Sequence, residues 1–133
     1  MPLYGGTNGF NILEKEPLRN NILTGLTNPT AKTSYVYNTY DRAINILGDK
    51  ELVELNLATV PGLTYGALTT KLINTCEERA DALAIIDLEG DYTPKHETIS
   101  TTAESSRIGA VDTAVTLLRN RGLNSSYGCA YYP

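Results

Sequence analysis

The stretch of sequence that decides the fold is residues 82–87, which read ALAIID. Five consecutive apolar residues without polar alternation are followed directly by an acid. A strand with one face in water would alternate apolar and polar side chains, whereas a strand covered on both faces need not. The run is too short to be a stable helix, and helical patterns lie on both sides of it. We therefore predict the central strand of a parallel sheet, enclosed on both faces.

The residues before this strand predict another strand and a helix. Residues 55–60 favour a strand, and Pro61 and Gly62 are expected to end it. Thr64 is placed to cap the helix that follows, and Arg79 stands near its carboxyl end, where a cation complements the helix dipole. The apolar face predicted for this helix consists of Leu68, Leu72 and Cys76. Strand, helix and strand together make the β-α-β crossover that parallel sheets require.

A further helix and a third strand are predicted after the central strand. A polar stretch over residues 88–106 comes first, and a loop of this length in a compact domain is either functional or mobile. Helical periodicity then resumes, and Gly122 stands at the C′ position that ends the helix. The predicted apolar stripe consists of Ile108, Val111, Val115 and Leu118, and the third strand of residues 127–132. The cations predicted to be solvated and to complement the helix dipole are Arg107, Arg119 and Arg121.

The residues before the first strand divide into two parts. Residues 1–33 are rich in Gly, Asn, Thr and Pro and lack sustained periodicity, which predicts an irregular N-terminal segment. Residues 34–47 have helical spacing, and Gly48 follows where a C′ glycine would end the helix. Its apolar face, predicted to pack in the core or at an interface, consists of Tyr37, Tyr40, Ile44 and Leu47. Residues 34–133 are therefore predicted to be one α/β core domain, with a short, mainly parallel, three-layer β-α-β-α-β core.

Composition excludes several classes of protein. A chain of 133 residues fits one domain of ordinary size, and its formal charge of −4 argues against nonspecific binding of nucleic acid. No window approaches the roughly 20 apolar residues that span a bilayer. The first residues lack the charged and apolar regions of a secretory signal. Cys76 and Cys129 are predicted to be two buried, unpaired thiols in a reducing compartment.

One group of residues invites a chemical interpretation. Asp87 is expected at the carboxyl end of the central strand, where open α/β sheets bind ligands. Together with Glu89 and Asp91 it would form an acidic cluster able to hold Mg²⁺ or accept a phosphoryl group. The other interpretation is a solvated acid that caps the next turn, and no phosphate-binding or nucleophile motif completes a site. The single histidine, His96, is predicted to be an exposed loop residue. No catalytic, cofactor-binding or metal-binding residue is predicted.

Three stretches of the chain carry a resemblance to a known family. They are residues 57–64 (LATVPGLT), 72–87 (LINTCEERADALAIID) and 123–133 (LNSSYGCAYYP). Together they resemble the tail sheath proteins of contractile-tailed bacteriophages, whose relatives form the sheaths of pyocins and type VI secretion systems. Residues 40–43 (YDRA) and 5–9 (GGTNG) fit the same pattern, with Asn8 where an aspartate is expected. Sheath proteins tend to have prolines directly after the aspartate of the central strand, and here LEG occupies residues 88–90.

The resemblance implies a mechanical role without catalytic residues or a cofactor. Sheath proteins are several hundred residues long, so the chain would be a fragment or a much reduced member. The implied partners are neighbouring sheath subunits in helical layers, the tail tube protein and the baseplate, in a virion assembled in the host cytoplasm. Contraction would repack the subunits and drive the tube through the host envelope. The terminal arms that link sheath subunits are not evident, so the isolated chain is expected to be mostly monomeric.

Two other classes of function stay open at this point. One is a small Mg²⁺-dependent phosphotransfer or phosphohydrolase domain that uses Asp87 and Asp91. The other is an adaptor that binds a peptide at the exposed edge of a short sheet.

Overall fold

The computed structural model describes Leu13, Leu18 and residues 33–88 and 111–131. Within these residues the elements alternate between helix and strand. Their order is α1 (Tyr35–Leu47), β1 (Leu57–Thr59), α2 (Gly66–Arg79), β2 (Leu83–Ile86), α3 (Val111–Asn120) and β3 (Gly128–Ala130). The α/β class predicted from the sequence is confirmed. The strands are shorter than predicted at both ends, although the carbonyls of Asn56 and Tyr127, just before β1 and β3, accept hydrogen bonds from the N–H groups of Leu83 and Ala84.

The three strands form one parallel sheet with β2 in the middle. The sheet has the order β1-β2-β3, and both pairs of neighbours run in parallel. Ala84 of β2 lies opposite Ala58 on one side and opposite Gly128 on the other. The apolar run that opened the sequence analysis is therefore the central strand, as predicted.

The two faces of β2 differ in burial. Ala84 and Ile86 point to a buried face, against which α2 packs, whereas Leu83 and Ile85 are half-buried. The same difference in burial extends to β1, because Leu57, which lies beside Leu83 in the sheet, is 62% exposed. The described residues thus cover one face of the sheet with helices, and the second covering layer stays a prediction.

The helices meet the sheet through a compact apolar core. Helix α1 packs against α2, and α2 against β2. The apolar side chains that are less than 2% exposed are Val36, Ile44, Leu63, Leu68, Leu72, Cys76 and Ala84. Val36 was not part of the predicted face of α1, whereas Ile44 was, and the tyrosines of that face pack at its margin.

The turns between elements explain where the helices begin and end. Leu63 donates its N–H to the carbonyl of Val60, and Gly62 has φ +80°, so Pro61 and Gly62 occupy the central positions of a type II turn. The N-cap of α2 is Tyr65, which corrects the prediction of Thr64.

The glycines predicted to end two helices behave differently. Gly122 has φ +61°, the left-handed conformation that a C′ glycine provides, as predicted. Gly48 ends α1 in a right-handed conformation and donates its N–H to Asn45 instead. In the described part of the chain, no helix is both long enough and apolar enough to cross a membrane.

Candidate functional site

Asp87 lies at the carboxyl end of the central strand, as predicted. Its Oδ2 accepts a hydrogen bond of 2.6 Å from the backbone N–H of Gly62. The carboxylate therefore joins the end of β2 to the turn that follows β1, which is a structural role. Glu89, Asp91 and His96 lie outside the described residues. Among the residues that are described, no three His, Cys, Asp or Glu side chains are grouped so that they could hold a metal ion.

The two cysteines are free thiols, as predicted, but the predicted burial is correct for Cys76 and wrong for Cys129. Cys76 is buried, and this burial raises the pKa of its thiol, with Asp81 acting in the same direction and Arg79 against both. A thiol with a raised pKa stays protonated at neutral pH and is a poor nucleophile. Cys129 is half-buried on β3, with its Sγ 3.6 Å from the carbonyl oxygen of Ala84.

Arg79 is the largest buried polar side chain in the described structure. It is 2% exposed, although the sequence predicted only a cation near a helix end. Its guanidinium donates to the carbonyl of Leu47 at 2.6 Å, to that of Val53 at 3.0 Å, and to both carboxylate oxygens of Asp81. One side chain therefore ties the end of α1, the loop before β1 and the end of α2 together. No local signal marks this role, because the two carbonyls lie 32 and 26 residues away in the chain.

Arg121 was predicted to be solvated, and that prediction is wrong. Its Nη2 lies 3.1 Å from the carbonyl oxygen of Gly66 and 2.8 and 2.9 Å from the hydroxyls of Thr69 and Thr70. It therefore docks the end of α3 onto the first turns of α2. The exposed cation at this end of α3 is Arg119.

The tyrosines of α1 pack, as their helical spacing predicted. The rings of Tyr37 and Tyr65 meet edge to face at a centroid distance of 6.0 Å. Burial raises the pKa of Tyr37, and the charge of Asp41 and the neighbouring Tyr65 act in the same direction. The hydroxyl of Tyr40 donates to the carbonyl of Leu18 at 3.1 Å. Asp41 of α1 also forms an ion pair with Lys71 of α2, which links the two neighbouring helices.

A half-open cleft of about 400 Å³ lies between α2, α3 and β3. Its apolar walls include Ile73, Ile86, Leu118 and Leu123, and the polar side chains that border it are those of Arg119 and Ser125. We call this space the β3 cleft. It arises where β3 contributes only the small residues Gly128 and Ala130 to the face on which the helices pack.

Gly128 sets the distance between α2 and β3. A Cβ added at this position would lie 2.9 Å from a side-chain carbon of Ile73, closer than carbon atoms approach without displacement. The absence of a side chain therefore lets α2 approach the edge strand on one side of the cleft.

A smaller cavity of about 210 Å³ also borders α3. It is bordered by Thr64, Gly66, Leu88, Ala114, Leu117, Leu118 and Arg121. This is the carboxyl end of the sheet, where the sequence placed a possible ligand site. The guanidinium of Arg121 is already directed to the threonines of α2.

The class that the fold defines is a small α/β domain with a parallel sheet. Comparisons of the chain with family models, with curated proteins and with solved structures found no match. Function must therefore be argued from the residues and their geometry.

Proposed function

We propose that the chain is a structural building block of a contractile tail sheath. In this role it packs with neighbouring subunits in helical layers around a tail tube and repacks on contraction. The observation that carries the proposal is where the three stretches of resemblance lie. They supply β1 with its turn, the second half of α2 with β2, and β3 with the loop before it. The resemblance therefore covers all three strands of the sheet and not scattered positions.

The polar groups nearest to the possible ligand site support a structural role. The Asp87 carboxylate accepts from a backbone N–H, and the Arg121 guanidinium is engaged by α2. Both groups thus stabilise turns and contacts between helices, as expected in a subunit that must keep its shape under mechanical force. The alternative of a Mg²⁺-dependent phosphotransfer domain would need Asp87 and Asp91 to hold a metal, and the Gly62 contact competes for one of the required oxygens.

The three-layer core is part of this proposal. Parallel sheets occur almost only with both faces covered, and the face with Leu57, Leu83 and Ile85 has apolar side chains to bury. A second layer on that face would complete the enclosure of β2 that its sequence predicts.

The mechanism that follows is an exchange of contacts between subunits. Heterologous contacts do not close on themselves and therefore generate helical arrays. A rigid-body rotation that replaces one set of such contacts with another of lower free energy releases energy without a nucleotide. A domain tied together by buried side chains such as Arg79 is suited to move as one body.

Immunogold labelling tests the proposal directly. Antibodies raised against this chain are applied to contractile particles from cells that carry its gene. We expect label along the tail shaft, over the full length of extended tails and over the shortened sheath of contracted ones. Label confined to another part of the particle, or absent from it while the denatured protein is detected in the same cells, would overturn the proposal.

A further inference from the structure

We propose that the β3 cleft receives Leu52 from a second copy of this chain, so that copies join side by side in a row. The inference rests on the proposed function and specifies one contact between neighbouring subunits. It starts from two separate features of the surface, an unfilled apolar cleft and an exposed apolar side chain.

Leu52 is held in an exposed position by a well-formed turn. The Oδ1 of Asp49 accepts hydrogen bonds from the N–H groups of Glu51 at 3.0 Å and of Leu52 at 3.3 Å. Val53 donates its N–H to the carbonyl of Asp49, and Arg79 donates to the carbonyl of Val53. Leu52 is nevertheless 69% exposed at the tip of this turn. A rigid turn that presents a leucine to solvent loses little entropy when that leucine is buried by a partner.

The β3 cleft is suited to a branched aliphatic side chain. Its walls of Ile73, Ile86, Leu118 and Leu123 are apolar, and its volume of about 400 Å³ exceeds that of one side chain. A leucine inserted there would remove apolar surface of both copies from water, at roughly 25 cal/mol per Å².

The charges around the two features are complementary. Residues 49–54 carry three acidic side chains and one lysine, and the acids are exposed. The charged side chain that borders the cleft is the exposed Arg119. Insertion of Leu52 would bring Glu51 near Arg119, which favours this orientation over one that pairs two acidic turns.

The position of the two features determines the kind of assembly. The turn precedes β1 and the cleft borders β3, so the two features belong to different surfaces of the chain. A contact between different surfaces of identical chains is heterologous, and one that does not close into a ring continues from copy to copy. One side chain and one ion pair bury much less than the roughly 1,200 Å² of a stable interface, so the isolated chain is monomeric except at high concentration.

Directed disulfide formation tests the contact in the full chain. Two proteins are prepared with Cys129→Ser, which removes the half-buried native thiol, and with either Leu52→Cys or Ser125→Cys. Mixed at high concentration under mild oxidation, they are expected to give the mixed disulfide dimer. The matched control replaces Leu52→Cys by Ile46→Cys, since Ile46 is also exposed, at 54%, but lies on α1 outside the turn.

A charge reversal tests the orientation. Arg119→Glu is expected to lower the yield of mixed dimer roughly fivefold, and Glu51→Arg in the other chain to restore it. Circular dichroism of each variant shows whether it remains folded. A yield from Leu52→Cys no greater than that from Ile46→Cys would overturn the inference, and so would an unchanged yield with Arg119→Glu. If label appears on tail sheaths while the mixed dimer does not form, this contact fails and the proposed function stands. If the mixed dimer forms and the tails are not labelled, the proposed function fails and this contact between copies stands.

Discussion

The β1 side and the β3 side of the sheet are built from the same strand–helix pattern but are packed differently. On the β1 side, α1 and α2 bury large side chains such as Val36, Ile44 and Leu68, and Arg79 closes the corner with hydrogen bonds. On the β3 side, the fully buried residue of α3 is Ala114, while Val111 and Val115 are half exposed. The sheet there adds Gly128 and Ala130, and a cleft remains.

The difference shows how side-chain volume divides one sheet into a stable centre and an incomplete edge. Large apolar residues fill the space between two layers, whereas alanine and glycine leave part of it empty unless another element enters. Packing of this kind buries the large side chains in the first β-α-β unit and leaves a cleft in the second. The predictions below test that division, beginning with the β1 side.

Replacing Arg79 by Met should have the largest effect on stability. The carbonyls of Leu47 and Val53 would lose their partner in a buried position, and each such loss costs about 1–3 kcal/mol. We expect the free energy of unfolding to fall by roughly 3 kcal/mol, measured by urea denaturation. Arg42→Met is the matched control, because Arg42 is exposed on α1, and its effect should stay below about 0.5 kcal/mol. An equal fall in the free energy of unfolding for Arg79→Met and Arg42→Met would show that the hydrogen bonds of Arg79 do not stabilise the fold.

Adding one methyl group to β3 should have a smaller but clear effect. Gly128→Ala places a Cβ against Ile73, and overpacking of this kind costs about 1–3 kcal/mol. Shortening the opposing residue with Ile73→Val should recover part of the loss in the double variant. Gly66→Ala provides the control, since its Cβ would meet only the Arg121 side chain at 3.8 Å and alanine favours helix. If Gly128→Ala unfolds at the same urea concentration as the unmodified chain, α2 does not approach β3 as closely as described.

Removing the carboxylate of Asp87 tests the link between β1 and β2. Asp87→Ala breaks the hydrogen bond to Gly62. It should lower the free energy of unfolding by about 1.5 kcal/mol, the lower end of the range for hydrogen bonds to charged groups, because this bond is exposed. Asp87→Asn retains an acceptor oxygen and should lose less. Calorimetric titration of the unmodified chain with Mg²⁺ should show no binding. Binding that disappears in Asp87→Asn would favour the phosphotransfer alternative over a structural role.

The smallest effect is expected at the two thiols, as a difference between the rates at which Cys76 and Cys129 react with a disulfide reagent. Burial raises the pKa of Cys76 above its ordinary value of 9.0, so that the folded state favours the protonated thiol. The stability that this contributes is complete below pH 9 and decreases as the pH rises further. At pH 8 a disulfide reagent should modify Cys129 first and Cys76 only on unfolding, and Cys129→Ser should abolish the fast phase. A fast phase that persists in Cys129→Ser would show that the β1 side opens more readily than its burial indicates.

Local sequence patterns were sufficient for the elements but not for the contacts between them. The apolar run of residues 82–87 and the helical spacing around it predicted a parallel sheet with this strand at its centre, which the structure confirms. The role of Arg79 and the docking of Arg121 were missed. Apart from Asp81, their partners are backbone carbonyls and threonine hydroxyls that lie 26 to 55 residues away, and such groups are common along the whole chain. The cap of α2 was misplaced by one residue, because Tyr65 makes no side-chain cap that a pattern would reveal.

The sequence by itself determined the order of strands and helices along the chain, the central place of β2 in the sheet and the unpaired state of the two thiols. These follow from hydrophobic periodicity, from turn residues such as Pro61 and Gly62, and from the number and separation of the cysteines. Only the tertiary structure decided which face of β2 is buried, which arginine is enclosed and where a cleft remains. Those features depend on how side chains of different volume meet across the layers, and their volumes can be compared only once the layers are in place.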